Sequence, residues 1–186
     1  MATSETSSIP RLETGRLVLR GHARSDYENC ARMWADPAVT RFIGGTPSTF
    51  QESWFRLLRY AGHWSLLGYG YWVIEEKGTG RYAGEIGFAD SMRDMKPSLD
   101  GMPESGWALS PWAQGKGYAS EALAAALRWG DLRFAKQTTC CIISPDNLPS
   151  LRIAEKNGYV ESARTTYKGD PIIIFRRDSV SPAHLA

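Results

Sequence analysis

Cysteine, histidine and net charge are all scarce in this chain. Its 186 residues include three cysteines, Cys30, Cys140 and Cys141, and three histidines, His22, His63 and His184. No pair of cysteines has Cys-x-x-C spacing, and an odd count with one adjacent pair builds no disulfide framework. A stapled or zinc-clustered small protein is thereby excluded, no metal is expected, and a reducing, cytoplasmic setting is. The formal charge is only +2 and no Lys/Arg run stands out, so no nucleic-acid surface is expected. No apolar run approaches the length needed to cross a bilayer, and "MATSETSSIP" lacks the basic-then-apolar pattern of a secretory signal. No membrane partner is expected.

What is present suits one globular domain, with 42% hydrophobic residues in a chain long enough to bury a core. Residues 11–178 read as that domain, with polar or proline-containing tails at 1–10 and 179–186. "RLVLR" (Arg16–Arg20) alternates like a strand. "SDYENCARMWAD" and "PSTFQESWFRLLRYAGHW" carry apolar residues at helical spacing. "GYWVIEE", a "KGTG" turn and "RYAGEIGFAD" read as a hairpin, followed by a polar loop and the strand "ESGWAL". A glycine loop then leads into a helix from Ser120 to Phe134, with Leu123, Leu127, Gly130 and Phe134 on one face. "TTCCIIS", a helix in "DNLPSLRIAEKNG" opening at Asn147, and two strands joined by "GD" complete the chain. The order β-α-α-β-β-β-α-β-α-β-β predicts an α/β fold with a mixed sheet and helices on both faces.

The glycine loop is the most informative stretch. "SPWAQGKGYASEAL" (Ser110–Leu123) joins a strand end to a helix start. A helix start offers unpaired N–H groups and a partial positive charge, glycines admit a ligand close to the backbone, and Lys116 adds a full charge. That combination suits phosphate or pyrophosphate. A P-loop would need Ser or Thr after the lysine, where this chain has Gly117. A dinucleotide fingerprint would need a third Gly or Ala where Ser120 stands, and would sit early in the chain. Both frames fit poorly.

Three blocks together resemble the GNAT superfamily of N-acetyltransferases, which move an acetyl group from acetyl-CoA to an amine. The first is Leu109-Ser110-Pro111-Trp112-Ala113-Gln114-Gly115-Lys116-Gly117-Tyr118-Ala119. The second is Asn147-Leu148-Pro149-Ser150 followed by Glu155-Lys156-Asn157-Gly158-Tyr159. The third, "ETGRLVLR", "ADPAVTRFIGGTPSTFQES" and "YAGEIGF", is similar to the RimJ/RimL-like subgroup, which includes ribosomal-protein N-terminal acetyltransferases. The likeness covers about residues 11–177. It implies a sheet splayed between the fourth and fifth strands, with acetyl-CoA as cosubstrate. It also implies that Gln114, Gly115, Lys116, Gly117, Tyr118 and Ala119 hold the pyrophosphate. Trp107 and Leu109 would pair through their backbones with the pantetheine arm, and Asn147 would bond the arm from the other side. Ser150 would either join it or only cap its helix. The acceptor would be a protein N-terminus or a small-molecule amine, and a homodimer is a family expectation for which no residue here argues.

Direct attack by the amine needs a neutral nucleophile, donors for the oxyanion and a proton for the leaving thiolate. The backbone N–H of Leu109 is the expected oxyanion donor. Glu104 is the first candidate base, Glu85 the second, and His63 a weaker third. Many family members supply the acid from a tyrosine seven residues after the motif asparagine; here that position is Ala154, which can donate nothing. Trp34 and Phe42 either line the acceptor site or pack in the core. The rival readings are a CoA-binding sensor or inactive interaction module on the same fold, and a dinucleotide-dependent oxidoreductase, which the glycine frame disfavours.

Overall fold

A computed structural model describes residues 9–134 and 137–180. Most of the expected tails, 1–8 and 181–186, lies outside the described residues, as does His184. The first expected strand is a small hairpin, β1 (Leu12–Glu13) and β2 (Leu17–Arg20), turning through Thr14 to Arg16. Helices α1 (Tyr27–Trp34), α2 (Pro37–Thr40) and α3 (Phe50–Leu67) follow. Next come β3 (Tyr71–Glu76), β4 (Tyr82–Ala89), β5 (Glu104–Leu109), α4 (Tyr118–Arg133), β6 (Thr139–Ile143), α5 (Leu148–Lys156), β7 (Val160–Tyr167) and β8 (Asp170–Arg177).

The short α2 was not expected, although "ADPAVT" carries its signal. The Asp36 carboxylate accepts the Ala38 N–H at 2.8 Å, and Pro37 occupies the first turn, where no N–H is needed. Helix α3 opens with a reciprocal capping box: Glu52 N–H donates to Thr49 Oγ1 at 3.2 Å, and Thr49 N–H donates to Glu52 Oε2 at 2.7 Å. It stops at Gly68, whose φ of 69° is the left-handed conformation a helix end favours.

The eight strands among the described residues form one sheet in the order β1-β2-β3-β4-β5-β6-β8-β7. Every neighbouring pair is antiparallel except β5 and β6. Strand alternation divides the side chains between two faces. Trp72, Ile74, Ile86 and Phe88 pack with α4 and α5 on one face. On the other, Val73, Tyr82 and Ala108 pack beneath α1 and α2, with Cys30, Trp34 and Val39. Gly130 of α4 is a contact glycine: a Cβ there would lie 3.1 Å from Phe88 Cζ.

The parallel pair is where the sheet opens. β5 and β6 register only at Glu104 and Cys140, where the Cys140 N–H donates to Pro103 O at 3.1 Å. Beyond that point no further pair forms, while β6 stays bonded along its length to β8, and β5 to β4. The splay expected between the fourth and fifth strands is this gap; β1 raises the strand numbers by one.

Candidate active site

The glycine loop lies at the open end of β5. Gln114 to Gly117 are exposed, and Gly115 and Gly117 have φ of 74° and 77°. Those values suit glycine because a Cβ would crowd the following carbonyl. Helix α4 starts at Tyr118, two residues earlier than expected. Its first internal bond runs from the Glu121 N–H to Gly117 O at 3.1 Å. The N–H groups of Tyr118, Ala119 and Ser120 precede that bond, so no helical carbonyl takes them. They stand at the positive end of a 16-residue helix. The Gln114 side chain donates to Leu109 O at 3.0 Å and ties the loop to the strand end. Lys116 Nζ lies over the Trp112 ring, 4.7 Å from its centroid.

Apart from Leu109 O, which Gln114 takes, the backbone of β5 presents unpaired groups to the splay. The Ser110 N–H donates to Ala83 O at 2.9 Å, toward β4. Alternation then turns the backbone groups of Leu109 and Trp107 the opposite way, toward β6, which has no matching register there. Across the gap, Asn147 Oδ1 accepts the Ser150 N–H at 3.2 Å. Of the two residues it is therefore Asn147 that caps α5, while Ser150 supplies the capped amide.

The two expected catalytic groups do not meet. Glu104 and Leu109 stand at opposite ends of β5, about 16 Å apart along an extended strand. At that separation Glu104 cannot touch an amine attacking a carbonyl held at the Leu109 N–H, and would have to act through water. The Glu104 carboxylate is also engaged: Arg93 Nε and Nη2 each donate to one of its oxygens at 2.6 Å. This bidentate pair closes the polar loop after β4 onto the sheet.

Glu85 is fully buried and equally committed. It accepts from Tyr82 Oη at 2.6 Å, Tyr60 Oη at 2.9 Å and Trp34 Nε1 at 2.9 Å, with His22 Nε2 3.6 Å away. Burial alone pushes its carboxyl up, but bonds and charge from His22, then the bonds from Tyr82 and Trp34, hold it at about 2. Trp34 thus serves this buried network, whereas Phe42 lies half-buried beneath the Arg41 guanidinium. The ring nitrogens of His63 face the carbonyls of Arg59 and Asp90 at 2.9 and 3.3 Å.

Tyr71 is the residue the sequence reading missed. Its register partner is Gly87, which pairs in turn with Gly106. Its ring stacks on Tyr60 with centroids 4.6 Å apart. Its hydroxyl presses onto Gly106, where a Cβ would collide with it. Two glycines at matched register on adjacent strands, opposite a tyrosine, are the signal that could have found it. Burial pushes its phenol well above the ordinary range, and the nearby Glu104 charge adds to this. The phenol therefore stays protonated, one residue from the free backbone of Trp107.

The described residues contain no helix long and apolar enough to cross a membrane, and no cluster of side chains that could hold a metal. Comparison with known proteins matches residues 16–160 to an acetyltransferase (GNAT) domain. The chain is 32% identical over 178 residues to the uncharacterized protein YkkB of Bacillus subtilis, covering 91% of this chain and 96% of that one. The crystal structure of an acetyltransferase from Agrobacterium tumefaciens has a TM-score of 0.78 at 28% identity, covering 91% of this chain and 94% of that one. RimL, a ribosomal L7/L12 α-N-protein acetyltransferase in complex with coenzyme A, shares the fold at a TM-score of 0.74 and 16% identity. That match covers 91% of this chain and 98% of RimL.

Proposed function

The chain belongs to the GNAT acetyltransferase family, and from that premise we propose that it acetylates an α-amine, the terminal amine of a peptide or of an amino-acid-like small molecule. The fit to CoA rests on the exposed left-handed glycines, the free helix-start N–H groups and the strand gap beside them. Gln114 to Ala119 hold the pyrophosphate. The Leu109 and Trp107 backbones bond the pantetheine arm, and the Asn147 amide reaches it across the splay. Acetyl-CoA, when bound, supplies the acetyl group as a thioester. The protein's part is to orient it and admit a neutral amine.

One observation carries the choice of acceptor: both candidate base carboxylates are already committed, Glu104 to Arg93 and Glu85 to its buried donors. An α-amine, with a pKa near 8, is neutral in about one molecule in ten at pH 7. A lysine-type amine near 10.4 is neutral in fewer than about one in a thousand. A site whose two candidate carboxylates are both engaged favours the first class. The RimJ/RimL-like reading of the N-terminal block agrees with this, and three unpaired buried cysteines support a reducing, cytoplasmic setting. The deciding experiment follows CoA release over a panel of peptide N-termini, amino acids, lysine side chains and polyamines between pH 6.5 and 9.5. The expected outcome is turnover led by α-amines. Faster turnover of lysine or polyamine at pH 7 overturns the acceptor class, and CoA binding without turnover of any amine points to a sensor.

A further inference from the structure

The glycine loop is held from outside by a residue that lies about a hundred positions earlier in the chain. Arg16, in the β1–β2 turn, donates from Nη1 to the carbonyl oxygen of Lys116 at 2.9 Å. Its other side-chain polar contacts, and its backbone N–H, end on Glu121, in the first turn of α4. Arg16 Nε and Nη2 reach Glu121 Oε2 at 2.7 and 2.6 Å, and the Arg16 backbone N–H reaches Oε1 at 3.0 Å. Thr14 Oγ1 donates to the same Oε1 at 2.6 Å. The guanidinium also lies 4.7 Å over the Tyr118 ring, whose hydroxyl donates to Glu76 at 2.5 Å. So the arginine is fixed on three sides.

A trans peptide is planar, and its C=O and N–H point in opposite directions. Holding the Lys116 carbonyl toward Arg16 therefore aims the Gly117 N–H away from Arg16, to the outer side of the loop. Glycine at this joint would otherwise let the peptide flip at little cost, since both signs of φ are open to it. We infer that Arg16, clamped by Glu121, is a positioning residue that aims the Gly117 N–H at the pyrophosphate of CoA. The inference rests on the loop's reading as a pyrophosphate site.

The relay reverses the sign expected of Glu121. A carboxylate in the first turn of a phosphate-binding helix repels the ligand, so its removal by charge alone should tighten CoA binding. If Glu121 works through Arg16, its removal should weaken it. The test is calorimetric titration of the full chain and its Glu121→Gln, Arg16→Ala and double variants with CoA and with S-acetylpantetheine, which lacks the diphosphate. Ligand-free melting curves check that each variant is folded. Glu121→Gln is expected to weaken CoA about tenfold, the size of one lost charge-assisted hydrogen bond. Arg16→Ala should do at least as much, and the double variant no more than Arg16→Ala. S-acetylpantetheine affinity should stay within twofold throughout, and KM for acetyl-CoA should rise at unchanged kcat. Tighter or unchanged CoA binding by Glu121→Gln overturns the relay, as does equal weakening of both ligands or additivity in the double variant. Failure of the unaltered protein to bind CoA overturns the pyrophosphate reading itself, and the relay with it.

Discussion

The indole N–H of Trp34 donates to Glu85 Oε2 at 2.9 Å, with both side chains closed off from water. This bond anchors α1 to the centre of the sheet. Arg56 of α3 stacks on the outer face of the same indole, 3.6 Å from its centroid, so the two helices are held by one residue.

The network predicts an acid-dependent loss of stability. Glu85 titrates at about 2 in the fold, against an ordinary value of 4.5. Its stabilisation is therefore fully present above about pH 4.5 and lost as pH falls toward 2, on the order of 3 kcal/mol in all. In Glu85→Gln that contribution is gone. The stability difference between the two proteins, followed by denaturant melts from pH 5 to pH 2, should shrink as pH falls below 4.5. A difference that holds constant to pH 2 means that Glu85 is not ionised in the fold.

Gly117→Asp should abolish the rise in melting temperature that CoA produces by mass action. The substitution strains a φ of 77° and places a negative charge where phosphates are expected. Tight CoA binding by this variant removes the loop from the site.

Glu104→Gln should lower kcat by less than tenfold at pH 7. Its carboxylate is an ion-pair partner of Arg93, so the larger effect should be on stability, about 1–3 kcal/mol measured by thermal or chemical melts. A loss of a hundredfold or more in kcat, at unchanged melting temperature, restores Glu104 as the base.

Tyr118→Phe and Tyr159→Phe should each cost less than tenfold in kcat, short of the roughly 10²–10⁴-fold typical of a positioned acid. The Tyr118 hydroxyl is spent on Glu76, and the Tyr159 hydroxyl lies buried 3.0 Å from Thr139 Oγ1. The contrasting variant is Tyr71→Phe. Its hydroxyl makes no hydrogen bond to another described residue and faces Gly106, so a larger loss in kcat with CoA affinity intact identifies it as the donor that Ala154 cannot be.

Local order was enough for much of this protein. The glycine loop, the Asn147 cap, the apolar face of α4 and the hairpin around "KGTG" each depend on residues a few positions apart. Helix caps, left-handed glycines and side-chain periodicity are set at that range, so the sequence alone determined most of the elements and their order, with β1 and α2 the exceptions, and marked the loop as a strand-to-helix turn built on glycine. Partnership across the sheet was decided elsewhere. Glu85 and Glu104 look alike as strand glutamates; only packing puts one among Trp34, Tyr60 and Tyr82 and hands the other to Arg93. Arg16 meets Lys116 and Glu121 because α4 packs against the β1–β2 hairpin, and Tyr71 meets Gly106 because strand register sets them two strands apart on one line. No local preference encodes those meetings. A carboxylate's chemistry depends on which donors surround it, and that was settled only when the sheet closed around its helices.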